Sequence, residues 1–113
     1  MQSYKENAAT KPLSAEGMKW FFKHYLASEA DAKNPRIAIL QNSDFKGLPP
    51  ATIINAEIDP LRDEGKALAD KLNAAGVKAT RKLYNGVTHE FFGMGAVVDE
   101  ANEAMSFAVE QLK

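Results

Sequence analysis

Cysteine is absent from the 113 residues, which excludes disulfide frameworks, Cys-ligated zinc, iron–sulfur clusters and thiol catalysis together. Histidine is scarce at two copies, so acid–base chemistry has few places to sit. An excess of charge is missing as well: 14 Lys and Arg against 15 Asp and Glu leave a net charge of −1, and no basic field favours nucleic acid or anionic lipid. Long apolar runs are lacking. The longest, Phe91 to Val98 with its two glycines, falls far short of the roughly 18 residues of a membrane span. The opening Met1-Gln2-Ser3-Tyr4-Lys5-Glu6 holds no apolar core of the kind a secretory signal needs. The expectation is a soluble, cytoplasmic chain of one domain or part of one, with its chemistry confined to His, carboxylates and hydroxyls.

What is present is a pattern of alternating elements. From Leu13 to Ser28 the periodicity predicts an amphipathic helix, with Ser14 as N-cap and Met18, Phe21, Phe22, Tyr25 and Leu26 on one side. Turn-forming residues dominate from Glu29 to Lys46, a stretch expected to be an ordered loop that includes Asn42, Ser43 and Asp44 and is anchored by Ile37, Ile39, Leu40 and Phe45. Pro49 and Pro50 then precede a short apolar run from Ala51 to Ile58, read as a buried strand. Asp59-Pro60 opens a helix whose stripe is Ala67, Leu68, Leu72 and Ala75, and Gly76 is placed to end it in the left-handed conformation. Asp63 and Glu64 read as exposed charges on its first turn. A second strand is expected over Lys78 to Tyr84, ending in an Asn85-Gly86 turn, and a last helix carries Val97, Ala101, Ala104, Met105, Ala108 and Leu112.

The predicted order is therefore an N-terminal helix, then strand, helix, strand, helix. A helix of this length makes a crossover, so the two strands should be parallel neighbours in an α/β arrangement. Parallel strands end at one edge of a sheet, spaced by about 4.8 Å. The loops carrying Asp59 and His89 should accordingly emerge side by side, where open α/β folds place catalytic groups.

His24, on a helix and without a second ligand at helical spacing, reads as structural. His89 lies in a loop after a strand. An Asp at the end of the adjacent strand can fix the tautomer of its imidazole and leave the other nitrogen free as a base. Helix capping beside Pro60 accounts for Asp59 equally well, and spacing alone leaves both readings open. No metal is expected, because His89-Glu90 is followed by Phe91, Phe92 and Gly93 and the second His of a metalloprotease helix is missing. No cofactor is expected either, since Gly86, Gly93 and Gly95 match neither dinucleotide-binding nor phosphate-loop spacing.

Three words stand out together: Leu48-Pro49-Pro50-Ala51, Asp59-Pro60-Leu61-Arg62-Asp63-Glu64-Gly65, and Tyr84-Asn85-Gly86-Val87-Thr88-His89-Glu90-Phe91-Phe92. They resemble the C-terminal third of the hormone-sensitive-lipase-like esterases of the α/β-hydrolase fold, and Ser3-Tyr4-Lys5-Glu6-Asn7 and Met18-Lys19-Trp20-Phe21 extend the likeness upstream. The resemblance implies a partial α/β-hydrolase domain over residues 1–113, a helix-and-loop segment at 1–47 and a strand-helix-strand-helix unit at 48–113. It implies that Asp59 is the triad acid and His89 the base of an enzyme acting on acyl esters. Glu90 departs from the Gly that the family usually shows before the Phe.

Absent is the family's Gly-x-Ser-x-Gly nucleophile elbow, and so is its His-Gly-Gly-Gly-type oxyanion loop. Ser3, Ser14, Ser28, Ser43 and Ser106 all lack the flanking glycines. The chain is thus expected to be nearly inert alone, and to aggregate, to pair with a copy of itself through an open sheet edge or the exposed aromatic helix with Trp20, or to need the missing N-terminal portion. The competing expectation is a non-catalytic α/β module that self-associates or binds a partner. A flavodoxin-like binding domain is a third and weaker reading, since two strands cannot make its sheet.

Overall fold

The computed structural model describes residues 1–42 and 44–113, so the loop reading of Ser43 lies outside the described residues. Two strands, β1 (Ala51–Ile58) and β2 (Ala79–Thr88), pair in parallel, with Ala51 opposite Ala79 and Ala56 opposite Tyr84. Five helices accompany them among the described residues: α1 (Gln2–Glu6), α2 (Ala15–Tyr25), α3 (Ile39–Asn42), α4 (Arg62–Ala74) and α5 (Asp99–Gln111). Short 3-10 turns lie at Glu29–Lys33 and Phe91–Gly93. No described helix is long and apolar enough to cross a membrane.

The sheet divides two small cores by the period-two alternation of a strand. Ala56 faces α5, in a cluster with Tyr84, Val87, Phe91, Ala101 and Ala104, and Ile54 packs against it. Phe45, Leu72 and Val77 form the other cluster on the α4 side, where Ala51, Ile53 and Leu68 join them. Of the expected loop anchors, Phe45 is buried, Ile37 and Leu40 are half-buried, and Ile39 is exposed. β1 is less buried than the sequence implies: only Asn55 and Ala56 are fully enclosed.

Helix α4 is bounded as its punctuation demands. Gly76 takes φ +81°, its N–H reaching the Asn73 carbonyl at 3.0 Å while that of Val77 reaches Leu72 at 3.0 Å. These are the two bonds that satisfy the last carbonyls of a helix closed by a left-handed residue. Asn73 then grips Ala79 by both its N–H and its carbonyl at 3.0 Å each, fixing where β2 begins.

The Asn85-Gly86 pair corrects the sequence reading. It does not end the strand; β2 runs on to Thr88. Between the Ala56–Tyr84 and Ile58–Thr88 pairs the ladder is irregular, with more residues on β2 than on β1. Gly86 absorbs the excess at φ +74°, a backbone region that only glycine enters freely, and its N–H donates to Glu57 Oε2 at 2.8 Å. A hairpin turn has no use here because the partner strand is parallel and comes from upstream.

The helix expected over Leu13 to Ser28 is α2, and it is shorter than its pattern. Ser14 caps it, accepting from the Gly17 N–H at 3.1 Å, yet it spans Ala15–Tyr25 and buries none of its residues. Trp20 is 57% and Tyr25 76% exposed. Of its apolar side, Met18 and Leu26 are half-buried, while Phe21, Phe22 and Tyr25 stay exposed. An open apolar cavity of about 710 Å³ lies beside it, walled by Phe22, Leu26, Leu40, Asn55, Leu61 and Leu68.

Candidate active site

Ile58 and Thr88 sit opposite one another at the ends of the strands, so the next residues of both strands, Asp59 and His89, leave the sheet at the same edge. His89 Nδ1 lies 2.8 Å from Asp59 Oδ2. Asp59 is 6% exposed, and its other oxygen accepts the Leu61 N–H at 2.8 Å. Asp59 is not the N-cap of α4, a position held by Leu61 without a side-chain bond, but its carboxylate serves the turn before that helix and the imidazole together. One oxygen holds the turn into α4; the other faces the imidazole.

This division of labour sets the tautomer. An ionised carboxylate offers only acceptors, so the proton between the two groups sits on Nδ1 and, in the neutral ring, Nε2 keeps a free lone pair. The His89 side chain is 30% exposed, and Nε2 stands 4.0 Å from Glu90 Oε1. Glu90 has φ +70°, the one non-glycine residue with positive φ among those described. A Gly would hold that conformation without strain.

The turn is braced from a distance of more than fifty residues. Ser3, fully buried on α1, donates from Oγ to the Pro60 carbonyl at 2.7 Å, while its N–H donates to Asp63 Oδ2 at 2.8 Å. Asn7 Nδ2 donates to the Asp59 carbonyl at 3.2 Å. Arg62 closes the bracket by pairing with Glu6 at 2.7 Å and Asp63 at 3.1 Å. Sequence reasoning assigned none of these supporting roles; the only signal was the likeness of Ser3-Tyr4-Lys5-Glu6-Asn7 to the esterase family.

Asp63 and Glu64 are not simple exposed charges. The Ser3 N–H, helped by Arg62, holds the Asp63 carboxyl below its ordinary value. Glu64 is half-buried beside the cavity, and burial above all, with the Asp59 charge adding to it, pushes its carboxyl up. Burial likewise raises the Tyr4 phenol, reinforced by Glu64 and Asp59. Where four of the serines stand is equally plain. Ser3 engages Pro60, Ser14 caps α2, Ser28 bonds Asp31, and Ser106 donates to the Asn102 carbonyl. His24 is exposed and lies against Trp20, the ring centroids 4.4 Å apart and the planes tilted by 48°. No cluster of three or more His, Asp or Glu able to hold a metal occurs among the described residues.

A family model described as alpha/beta hydrolase fold matches residues 1–93. The chain belongs to that family. Within it, the ethyl acetate hydrolase of Pseudomonas putida is 39% identical over 101 residues, which cover 89% of this chain and 32% of that protein. The carboxylic ester hydrolase LipN of Mycobacterium tuberculosis is 37% identical over 83 residues, 73% of this chain and 22% of that one. Among solved structures, a hyperthermophilic esterase from the archaeon Pyrobaculum calidifontis superposes with a TM-score of 0.95 at 36% identity, over 100% of this chain and 37% of its own. The chain thus matches between 22% and 37% of the length of these hydrolases, and the resemblance to the hormone-sensitive-lipase-like branch holds as a part of that fold.

Proposed function

We propose that this chain is the acid- and base-bearing C-terminal part of a carboxylic ester hydrolase, in which Asp59 orients His89 and His89 Nε2 takes the proton of a serine hydroxyl supplied from outside these 113 residues. The observation that carries the reading is the 2.8 Å contact between His89 Nδ1 and a buried Asp59 whose second oxygen is already tied to Leu61. An imidazole so held presents one nitrogen as acceptor in a fixed direction, which is what a general base in acyl transfer needs. The serine would attack the ester carbonyl, His89 would pass its proton to the departing alcohol, and water activated by the same nitrogen would release the acid. Relatives that hydrolyse ethyl acetate or other carboxylic esters support the substrate class.

p-Nitrophenyl acetate tests the reading. The 113-residue chain alone is expected to stay at the background rate, since base and acid without nucleophile and oxyanion donors forfeit most of the rate enhancement. Fused behind, or mixed with, the upstream two-thirds of the Pyrobaculum calidifontis esterase, it should support turnover. That turnover should fall by about three to four powers of ten on His89→Ala or Asp59→Asn. Vigorous hydrolysis by the chain alone, indifferent to His89→Ala, overturns the assignment.

A second reading is favoured by the exposed Trp20, Phe21 and Tyr25 on α2 and by the free outer edges of the two-stranded sheet. In it the chain is a non-catalytic module that buries these surfaces against a copy of itself. Light scattering separates the two, because a monomer at high concentration contradicts the module.

A further inference from the structure

We propose that Ser3 and Asn7 are positioning residues that act through Asp59: α1 supplies the cap that α4 does not make for itself, and the turn closed by that cap keeps Asp59 Oδ2 against His89. That the pair serves catalysis rests on the reading of His89 as a base; the contacts themselves are geometric. Helix α4 has Leu61 at its N-cap, a side chain with no acceptor for the N–H groups of the first turn. Those groups are nevertheless accounted for. The Leu61 N–H goes to Asp59 Oδ1 at 2.8 Å, that of Arg62 to the Asp59 carbonyl at 3.2 Å, and that of Asp63 to Ser3 Oγ at 3.2 Å. Ser3 answers in the other direction, its own N–H donating to Asp63 Oδ2 at 2.8 Å. A hydroxyl accepting from a helix N–H while a helix carboxylate accepts from the N–H of the cap is the reciprocal pair of a capping box, made here between residues 60 apart in the chain.

The same two α1 residues hold the turn ahead of the helix. The Ser3 hydroxyl donates its proton to the Pro60 carbonyl at 2.7 Å, and Asn7 Nδ2 donates to the Asp59 carbonyl at 3.2 Å. Because Asp59 Oδ1 is tied to the Leu61 N–H, the direction of the carboxylate follows the backbone of this turn, and a shift of the turn carries Oδ2 away from the ring. Water has no room to stand in for the brace. Ser3 and Pro60 are fully enclosed and Asn7 is buried, so a bond withdrawn here leaves a carbonyl or an N–H unpaired in the interior. The turn then moves until those groups find partners, and Asp59 moves with it. Glu6 on the same helix differs, since its ion pair with Arg62 is partly open to solvent, which can replace it.

Imidazole 15N spectra of the 113-residue chain, recorded well above the ordinary imidazole value of about 6.5, read the pair without any nucleophilic serine. Ser3→Ala and Asn7→Ala should keep the circular dichroism of the parent below their melting ranges. In each, the hydrogen-bonded Nδ1 proton of His89 should exchange with water on the order of tenfold faster, as one buried hydrogen bond withdrawn from the turn implies, and the ring should drift toward the tautomer mixture of the exposed His24. Gly76→Ala is the structural control: strained at φ +81° at the far end of α4, it should lower the thermal midpoint and leave His89 unchanged below it. Ser3 and Asn7 variants that only lower the midpoint, with His89 as locked as in Gly76→Ala, overturn the proposal. So does a chain that folds with neither substitution, because the brace then holds the fold and not the pair. If Ser3→Ala alone fails to fold, Asn7→Ala decides, since it leaves the cap in place. A parent chain with no locked Nδ1 proton is a different failure, which removes the pairing of His89 with Asp59 and the reading of the base with it.

Discussion

At the scale of single residues the site is an exercise in dividing acceptors. Asp59 has two oxygens and two clients, the Leu61 N–H and the His89 ring, both at 2.8 Å, and burial removes water as a competitor. Glu64, one turn into α4, shows the opposite economy. Its carboxyl is raised above the ordinary 4.5 by burial, with the Met1 ammonium opposing and the Asp59 charge adding a smaller upward push, so the folded chain binds its proton more tightly than the unfolded chain does. Stability from this group is complete below the unfolded value and is lost as pH rises through the folded one. Glu64→Gln should therefore raise the thermal midpoint at pH 7 and leave it unchanged at pH 3.5. Equal gains at both pH values, measured by circular dichroism melts, contradict the burial argument. The pairing of Asp59 with His89 was legible before any coordinates, because parallel strands bring their ends to one edge. The roles of Ser3 and Asn7 were not, since nothing local in a polar pentapeptide says that it will fold back onto Pro60 and Asp59 more than fifty residues away.

Among the elements, α4 is the one whose limits were written in the chain, by Pro60 before it and Gly76 after it, and the structure starts it at Arg62 and ends it at Ala74. The Asn85-Gly86 pair misled because a dipeptide that makes a hairpin turn also makes a bulge. Only the partner strand decides which, and here it is parallel, from residues 51–58. Helix α2 was legible as a helix with exposed aromatics around Trp20, and only its ends were not, since the apolar spacing runs from Leu13 to Ser28 while the helix holds Ala15–Tyr25. Gly65 gives a sharp test of how α4 meets the sheet. In an exposed helix interior, Gly→Ala stabilises by about 1 kcal/mol, but a Cβ at Gly65 runs into the Asn55 side-chain amide, which already accepts from Arg81 Nε at 2.7 Å. Gly65→Ala should instead destabilise by roughly 1–3 kcal/mol, and Asn55→Ala in the same chain should recover much of the loss. Urea melts that show Gly65→Ala to be stabilising would mean that the α4–β1 contact is looser than described.

The whole molecule is a two-stranded sheet with one helix packed on each face, a braced turn at one edge, and an aromatic helix and a cavity of about 710 Å³ left open. Three specific words in the sequence carried the family, and the match over residues 1–93 bears that out. What one chain could not disclose is how so small a body holds its geometry, because that depends on the contacts of α1 with the Asp59 turn rather than on any motif. The central claim is that these 113 residues by themselves hold His89 against Asp59 with the proton on Nδ1. Imidazole 15N spectroscopy of the isolated chain at pH 8.5, where an exposed ring is neutral, addresses it directly. The account predicts a His89 locked in the Nδ1–H form, with a hydrogen-bonded ring proton at low field that disappears in Asp59→Asn, beside a His24 that averages between tautomers. A His89 that averages as His24 does, or that carries its proton on Nε2, would contradict it.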